Sequence, residues 1–555
     1  MTARRWAPAV VVLALVAALL QTRSYDVGWH LEAGEWIAAA RAIPRVDDFS
    51  FTDSGTPWID HEWLFQLVLF AAFSWIGLAG VFLLKAAAAA ATLSIGVRAR
   101  LLAQGSLGPW ALALAAVSVV GMRPRLAERP EIVAFPLAAA ITALGLSLAA
   151  RPAGAWRRLA AVALLTALWV NLHASALLAP MLLLAVSAGC LADRWRTRLP
   201  VFGAGVTAAA AGMAGLCLIA NPYTTDLFLV PRRIASALAP SNMVNPEWAS
   251  PSWGDFPLFY LCAIVMALSS SISITRGAPL AASRAAVLAV VGALGFWSIR
   301  HIGIFFAVMP LLAPAGLLRR GGAGRPLAVW PGMAACLAAV VWMLLVPPPG
   351  ARIGIGIQPG RFPVEAAAFA DAHLSDARLY NDVAFGGYLI RDAYPRRRVF
   401  VDGRNEVHAS LLNEMSKAMD DGAAWQALLS RYGVEGAIVQ YRPQPVAVRR
   451  AGTGELSTST WSELHFPLQG WALVHWDDVA MVFVRRDGKY APMTAASEYH
   501  FVRPEAFRLG LGGMRPGAPE DGMSGEVARR LSINPGCPLA KEMAAVYGSG
   551  NPPGR

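Results

Sequence analysis

The sequence predicts a polytopic α-helical membrane protein that carries an α/β domain outside the membrane near its C-terminus. Of its 555 residues, 56% are hydrophobic and only 15% are charged, whereas a soluble globular protein carries about 25% charged residues. Long apolar runs, typical of transmembrane helices, are concentrated in residues 6–347. A Pro/Gly-rich linker, 348–362, then precedes alternating helical and extended patterns. These observations exclude a soluble enzyme, a disordered protein and a disulfide-built secreted domain.

Eleven apolar segments are predicted to cross the membrane. They are 6–21, 78–97, 108–122, 132–149, 159–173, 174–192, 200–220, 256–274, 282–299, 301–318 and 327–346. A further apolar segment, 63–77 (WLFQLVLFAAFSWIG), is short for a crossing and has aromatic residues at both ends. It is therefore predicted to form a helix that lies at the membrane surface.

The arginines predict the orientation of these spans. If 63–77 does not cross, most arginines of the short loops fall on the cytoplasmic side, as the positive-inside rule requires. The N-terminus is then inside and the C-terminal domain outside. The net charge of +12 thus reflects membrane topology rather than nucleic-acid binding. Arg123, Arg125, Arg129 and Arg300 fall on the outer side against the rule, which marks them as candidate functional residues.

Residues 363–487 are predicted to form the α/β domain. The predicted strands are ARLYND, RRVFVDGR, EGAIVQY, WALVHW and VAMVFVRR. Residues 488–555 are rich in Gly and Pro, which predicts a partly helical, partly disordered tail.

Two short motifs of this domain predict local structure, a turn and an exposed strand tip. Gly386 and Gly387 indicate a tight turn. Asp402 and Arg404 are predicted to stand exposed at the tip of a strand. There they either contact a substrate or form a simple Asp-Gly turn.

The loop 22–62 holds most of the candidate chemistry. It is rich in ionisable groups, which are costly beside a membrane unless they are solvated or used. Asp26 and His30 are four residues apart and share a face if GWHLEAGEWIAAARA is helical. Asp26 is placed either to act as a general base at the membrane surface or to cap that helix, and the two roles are compatible.

A second acidic cluster, PWIDHEWL, precedes the predicted surface helix. Its Asp60, His61 and Glu62 either orient a substrate, or bind a divalent metal such as Mg²⁺ or Mn²⁺ together with Asp26, or are simply solvated beside anchoring tryptophans. Asp26 and Glu62 are the candidate metal ligands.

Further polar residues are predicted to face the same side as Asp26. They are Arg123, Arg125 and Arg129, Asn171 and His173, Asn221 and Tyr223, Glu247 and Trp248, and Arg300 and His301. Arg300 has no acidic residue near it in the sequence, so it either needs an anion, such as a lipid phosphate, or extends to lipid headgroups. A shared outer face is what a single active site requires.

Several other chemistries lack sequence support. The chain has no P-loop, no GxGxxG, no HExxH and no GxSxG motif, so ATP-driven transport, dinucleotide chemistry and zinc proteolysis are not indicated. None of the five cysteines forms a CxxC pair.

The arrangement of these motifs resembles the GT-C superfamily of integral-membrane glycosyltransferases. This superfamily includes protein O-mannosyltransferases, aminoarabinose transferases of lipid A and the catalytic subunit of oligosaccharyltransferase. The resemblance covers about residues 1–410. It rests on a first span followed by a long acidic loop (YDVGWH), a surface helix introduced by PWIDHEWL, many spans, and an outer C-terminal domain. The stretches WVNLHAS, NPY, RHIGIFF and GGYLI…VFVDGR look like a bacterial branch of the superfamily.

The resemblance implies a transferase of the bacterial inner membrane. It would use a polyprenyl-phosphate-linked sugar donor on the outer face, with a glycan, lipid or protein acceptor. Asp26 would be the catalytic base and Arg300 a ligand of the donor phosphate. The sequence departs from better-known members: Trp-His follows the acidic residue, DHEW replaces a twin-proline motif, and no WWD motif is present. These departures leave the acceptor and the metal open.

Two other functions also remain open. One is a non-enzymatic transporter or assembly scaffold for lipid-linked glycans, although its polar residues would be expected near the middle of the bilayer. The other is an inactive relative whose tail binds a partner.

Overall fold

The chain folds into a helical membrane part and an α/β domain. The computed structural model describes residues 6–104, 109–197, 202–230, 246–313, 330–449 and 456–547, together with Arg232. The helices of the membrane part are α1 (Ala7–Ala18), α2 (Val27–Ala40), α3 (Trp63–Ile76), α4 (Leu78–Gln104), α5 (Pro109–Met122), α6 (Glu131–Ala150), α7 (Trp156–Leu172), α8 (Leu178–Thr197), α9 (Phe202–Cys217), α10 (Pro257–Thr275), α11 (Ala281–Trp297), α12 (Ile302–Leu312) and α13 (Trp330–Leu345).

Among the described residues, four helices are long and apolar enough to cross a membrane. They are Leu78–Leu102, Glu131–Ala150, Ala174–Trp195 and Pro257–Thr275. Six further apolar helices are shorter, with 10–17 residues. Parts of the predicted spans 108–122, 200–220, 301–318 and 327–346 lie outside the described residues. The membrane-helical class therefore holds, whereas the count of eleven spans stays a prediction.

The α/β domain is built on a four-stranded sheet. Its helices are α14 (Val364–His373), α15 (Val383–Ala393), α16 (Ala409–Ala418), α17 (Gly422–Arg431) and α18 (Trp461–His465), and its strands are β1 (Leu379–Asn381), β2 (Gly436–Gln440), β3 (Val446–Arg449), β4 (Leu456–Ser459), β5 (Trp471–Trp476) and β6 (Ala480–Arg485). The sheet order is β1-β2-β6-β5, parallel only between β1 and β2, and β3 pairs with β4 separately. The strands β2, β5 and β6 are almost wholly buried.

One predicted strand is wrong. RRVFVDGR (397–404) is extended but does not join the sheet; a single bridge pairs Val399 with Ser50 of the loop 22–62. Its apolar residues, Val399, Phe400 and Val401, are nevertheless buried. The continuous burial of this run is therefore produced by packing against the loop 22–62 and the core of the α/β domain, not by pairing within a sheet.

Residues 488–547 contain four helices that pack on the α/β domain. They are α19 (Ala491–Ser497), α20 (Pro504–Arg508), α21 (Glu520–Ile533) and α22 (Pro538–Tyr547). Met523, Val527 and Met543 belong to the same hydrophobic core as Trp425 and Trp471 of the domain. This segment therefore completes the domain's core, and the residues after 547 lie outside the described part.

The loop 22–62 is clamped between the two parts of the molecule. Its helix α2 crosses α15 so closely that a Cβ at Gly28 would lie 2.0 Å from the carbonyl oxygen of Gly387. A Cβ at Gly387 would lie 2.2 Å from the carbonyl oxygen of Tyr25. The expected turn at Gly386 and Gly387 is therefore wrong. Both residues lie inside a helix, and they are glycines because the backbones touch.

Candidate active site

A single cavity gathers residues that are far apart in the sequence. It measures about 480 Å³ and opens between the membrane part, the loop 22–62 and the α/β domain. Its lining includes Tyr25, Asp26, Trp29, His30, His61, Glu62, Arg129, Glu131, His173, Glu247, Trp248, Arg300, Gly403, Arg404, Asn405 and Glu406. Asp26 and Arg300, the two residues on which the sequence-based mechanism depends, therefore open onto one space.

Asp26 sits at the N-terminus of α2 but does not cap that helix with its side chain. Its Oδ2 atom lies 2.9 Å from Nη2 of Arg129, and its Oδ1 atom accepts a hydrogen bond of 3.3 Å from the indole of Trp29. The carboxyl side chain keeps 24% of its surface exposed, toward the cavity. Asp26 is thus held in a fixed orientation by a cation while it remains accessible.

Arg129 begins a chain of alternating charges behind Asp26. Its Nη1 atom lies 2.5 Å from Oε1 of Glu247, and the same oxygen lies 3.1 Å from Nη1 of Arg125. Arg125 in turn pairs with Glu131. The two arginines hold the pKa of Glu247 at about 2, outweighing the opposite effect of burial. Such a chain fixes the rim of the cavity through charge-assisted hydrogen bonds.

Arg300 is positioned by the short turn between α11 and α12. The hydroxyl of Ser298 accepts from the backbone N–H of Arg300 at 3.3 Å and donates to the carbonyl oxygen of Glu247 at 2.8 Å. The guanidinium carbon of Arg300 lies 5.4 Å from the ring centre of Trp248. No ion pair within 4.0 Å joins Arg300 to a carboxylate of the described residues. It is therefore a lining cation available for an anion.

Glu62 lies among three imidazoles. Its carboxylate is 3.4 Å from Nε2 of His61, 3.9 Å from Nδ1 of His30 and 3.9 Å from Nε2 of His173. Burial alone would lower the pKa of His61, but Glu62 raises it to about 9, so His61 is a cation at neutral pH. Burial lowers the pKa of His30 to about 4, so that imidazole is neutral.

The tautomer of His173 follows from its neighbour. The backbone N–H of Ser175 donates to Nδ1 of His173 at 3.2 Å. Because Nδ1 accepts, Nε2 carries the proton and points toward Glu62. Glu62 therefore faces two imidazole N–H groups, those of His61 and His173.

The wall on the side of the α/β domain is the segment Gly403–Glu406, held by a buried ion network. Arg404 lies 2.6 Å from both Asp47 of the loop 22–62 and Asp402, and all three side chains are fully buried. The exposed strand tip predicted for Asp402 and Arg404 is therefore wrong, because both charges close the contact between loop and domain. A Cβ at Gly403 would lie 2.4 Å from Oδ1 of Asp26, which places this wall directly against the candidate base.

Some predicted site residues do not reach the cavity. Asp60 is buried, accepts from Gln66 at 2.6 Å, and has its pKa raised to about 7 by burial. Asn171 accepts from Trp63 at 3.0 Å. His301 stacks on Trp297.

Two arginines also stand back from the cavity. Arg123 donates to the carbonyl oxygen of Val346 at 3.2 Å, and Arg125 acts through Glu247. In the described chain, Asp60, Asn171, His301 and both arginines support the walls, and Asp26, His30, His61, Glu62, His173 and Arg300 line the space.

Arg129, Glu247 and Trp248 line the cavity but are predicted from the sequence only to face the outer side, and Asn405 and Glu406 are not predicted at all. Arg129 carried a signal, since it is an arginine on the predicted outer side, and Glu247 and Trp248 lie in another outer loop. Asn405 and Glu406 carried none, because only tertiary structure brings the domain against the loop.

The candidate metal ligands Asp26 and Glu62 both have protein partners in this structure, and a Mg²⁺ or Mn²⁺ site there stays a prediction. The guanidinium of Arg129 already stands 2.9 Å from Oδ2 of Asp26. Glu62 is surrounded by imidazoles rather than by the oxygen ligands that Mg²⁺ prefers. One group with metal-ligand spacing is found in the described chain, Glu365, His475 and Asp477 in the α/β domain. There Glu365 is paired with Arg530, so its charge is already balanced.

No protein-family model matches the chain, and no curated protein is significantly similar to it in sequence. Its fold is similar to those of solved membrane glycosyltransferases. The oligosaccharyltransferase of Archaeoglobus fulgidus in its apo form superposes with a TM-score of 0.56 at 8% identity, over 99% of this chain and 86% of that one. The same organism's oligosaccharyltransferase AglB, in complex with an inhibitory peptide and a dolichol-phosphate, gives a TM-score of 0.50 at 10% identity, over 95% and 86% of the two chains.

The superposition on ArnT from Cupriavidus metallidurans bound to undecaprenyl phosphate is weaker. Its TM-score is 0.36 at 12% identity, over 87% of this chain and 98% of that one. The resemblance to the GT-C superfamily that the sequence predicts is thus confirmed at the level of the fold by the oligosaccharyltransferase structures. A fold alone does not define an activity.

Proposed function

We propose that the chain is a membrane glycosyltransferase that moves a sugar from a polyprenyl-phosphate-linked donor to an acceptor hydroxyl on the outer face of a bacterial membrane. The observation that supports it most is the cavity of about 480 Å³ onto which both Asp26 and Arg300 open. An accessible carboxylate, and a guanidinium that forms no ion pair with the described residues, suit a reaction in which a proton is taken up and a phosphate departs.

The proposed reaction is a single displacement at the anomeric carbon. The acceptor oxygen attacks that carbon while Asp26 takes up the hydroxyl proton. The bond between the anomeric carbon and the phosphate oxygen breaks, and its electron pair leaves with the polyprenyl phosphate. Arg300 stabilises the charge that develops on the phosphate, and its guanidinium lies over the ring of Trp248.

Arg129 has a positioning role in this proposal. Its contact of 2.9 Å with Asp26 aims the carboxylate, and its contact with Glu247 prevents it from swinging toward the donor phosphate. The proposed reaction includes no step on a metal ion, because Arg129 already balances the charge of Asp26 and Arg300 is placed to bind the phosphate.

The test compares two variants with two controls in membranes that contain the native acceptor. The substrates are undecaprenyl phosphates carrying labelled pentoses or hexoses, and the readout is label transferred and undecaprenyl phosphate released. We expect Asp26→Asn to lower transfer about 10²- to 10⁴-fold, the usual contribution of a general base. Arg300→Gln should also lower transfer strongly.

The controls are Asp226→Asn and Arg352→Gln, which change exposed residues away from the cavity. Both should keep wild-type transfer. Full activity of a folded Asp26→Asn protein, or release from none of these donors by the wild type, would contradict the proposed function and favour a transporter or scaffold.

A further inference from the structure

Almost all of the charges that line the cavity have a partner of opposite charge in the protein. Asp26 pairs with Arg129, Glu62 with His61, and Glu131 with Arg125, while Glu247 contacts both arginines of its chain. Within the part of the chain that the structure describes, two lining charges form no ion pair within 4.0 Å. They are Arg300 and Glu406.

The two unpaired charges come from different parts of the molecule. Arg300 belongs to the turn between α11 and α12, and Glu406 belongs to the α/β domain. Glu406 is half-buried, and burial raises its pKa despite the attraction of His61. His61 attracts this carboxylate from beyond ion-pair distance, and a half-buried carboxylate costs stability unless hydrogen bonds also satisfy it.

The segment that carries Glu406 is held on both sides by buried ion pairs. Arg404 forms ion pairs with Asp47 and Asp402. His408 lies 2.7 Å from Asp53 and 3.1 Å from Asp402. Asn405, beside Glu406, also lines the cavity, and its side-chain amide has no hydrogen-bond partner among the described residues. A carboxylate and an amide side by side on a segment held in this way form a polar pair suited to orient a bound ligand.

We propose that Glu406 and Asn405 form the sugar-recognition subsite of this cavity. The carboxylate of Glu406 accepts hydrogen bonds from hydroxyl or ammonium substituents of the sugar whose phosphate lies at Arg300. The inference rests on the proposed function, because it takes the ligand to be a sugar phosphate. A ligand with an anionic phosphate at one end and hydrogen-bond donors at the other matches the two unpaired charges.

The chemistry of a carboxylate separates the two kinds of sugar substituent. A carboxylate is an acceptor only, whereas the amide of glutamine still accepts through its oxygen but carries no charge. Glu406→Gln should therefore keep much of the recognition of a hydroxyl and lose the recognition of an ammonium. Glu406→Ala should lose both.

The test measures binding to the full-length protein in phosphatidylcholine nanodiscs. The probes are undecaprenyl phosphate and the same lipid carrying glucose, mannose, arabinose or 4-amino-4-deoxyarabinose. Quenching of tryptophan fluorescence reports binding, since Trp29 and Trp248 line the cavity. We expect at least one sugar-linked lipid to bind the wild type 10-fold or more tightly than the bare lipid, and Glu406→Ala to abolish that difference without changing the affinity for the bare lipid.

The control is Glu542→Ala, an exposed glutamate of the same domain, which should keep the wild-type preference. If Glu406→Ala does not fold, Glu406→Asp, which draws the carboxylate back by one methylene, should show the same loss. Equal affinities of the wild type for bare and sugar-linked lipids, or an equal weakening of both by Glu406→Ala, would overturn this subsite and leave the proposed function standing. Failure of the wild type to bind any of the lipids would refute the proposed function itself.

Discussion

The carboxylates of the cavity, although close together, have different environments. Asp26 is held by a guanidinium and an indole and stays open to the cavity. Glu62 is more deeply buried and is held by imidazoles, so its charge serves to keep His61 protonated. Placing each carboxylate next to a different kind of donor assigns them different tasks, proton uptake for Asp26 and maintenance of a cation for Glu62.

The ion pair between Glu62 and His61 should give the protein a distinct pH dependence of stability. The pKa of His61 is about 9 in the folded chain, against 6.5 when unperturbed. The stabilisation is therefore fully present below pH 6.5 and is lost as the pH rises through about 9. Glu62→Gln removes the pair, so the melting temperature should fall most near pH 6 and the difference from wild type should shrink above pH 9.

Thermal unfolding in nanodiscs between pH 5.5 and 10 checks this prediction. The other titratable groups that act on the pair are His30, Asp60, His173 and Glu406, which are the same in both proteins. Glu35→Gln is the control, because Glu35 is exposed and its pair with Arg391 is worth about 1 kcal/mol or less. A difference between Glu62→Gln and wild type that stays constant from pH 6 to pH 10 would contradict the assignment.

The close crossing of α2 and α15 sets the position of Asp26. Gly387→Val would place its side chain against the carbonyl oxygen of Tyr25, the residue before Asp26, so one of the two backbones must move. Such overpacking costs about 1–3 kcal/mol and should also weaken binding of undecaprenyl phosphate, because the cavity wall shifts. Melting temperature and lipid affinity, measured together, check the prediction.

Gly525→Ala is the matched control for that substitution. Gly525 also lies inside a helix of the α/β domain, α21, but a Cβ there meets nothing within 4 Å. Replacing it should be neutral or stabilise the helix by up to about 1 kcal/mol. Equal behaviour of the two variants would show that the glycines of α15 are not required for the contact.

The elements differ in how far the sequence predicts them. The apolar runs and the buried strands β2, β5 and β6 follow from local periodicity, and the structure shows them. The prediction that RRVFVDGR is a strand of the sheet is wrong because its apolar residues are buried by other contacts. One of these is the bridge between Val399 and Ser50 of the loop 22–62. The turn predicted at Gly387 is wrong because glycine is favoured both in turns and at close helix crossings, and the sequence does not distinguish the two.

The residues of the candidate site also differ in how far the sequence predicts them. Asp26, His61, Glu62 and Arg300 are recognisable because charged residues beside a membrane are costly and need a reason. Glu406 is not recognisable, because a glutamate in a soluble domain is ordinary until the fold brings it into the cavity.

At the scale of the whole molecule, the loop 22–62 joins two hydrophobic cores. Val27 and Leu31 of α2 pack into the core of the membrane part. Trp29 and Ala33, on other faces of the same helix, pack into a core of the α/β domain. The cavity lies where these cores meet, so its walls stay aligned only while the loop remains docked on both.

The buried ion network at Arg404 should be the main electrostatic interaction that holds the loop 22–62 on the α/β domain. Arg404→Met leaves Asp47 and Asp402 buried without their cation, which typically costs about 3–5 kcal/mol. The melting temperature should fall by several degrees, and protease should cut the loop 22–62 faster.

The control is Arg398→Met. Arg398 also joins the domain to this loop, through Asp48, but both of these side chains are exposed and their ion pair is worth about 1 kcal/mol or less. Since Gly403 lies against Asp26, the Arg404 variant should also weaken binding of undecaprenyl phosphate, whereas the Arg398 variant should not. Similar losses in the two variants would mean that apolar packing, rather than the buried ion network, holds the loop on the domain.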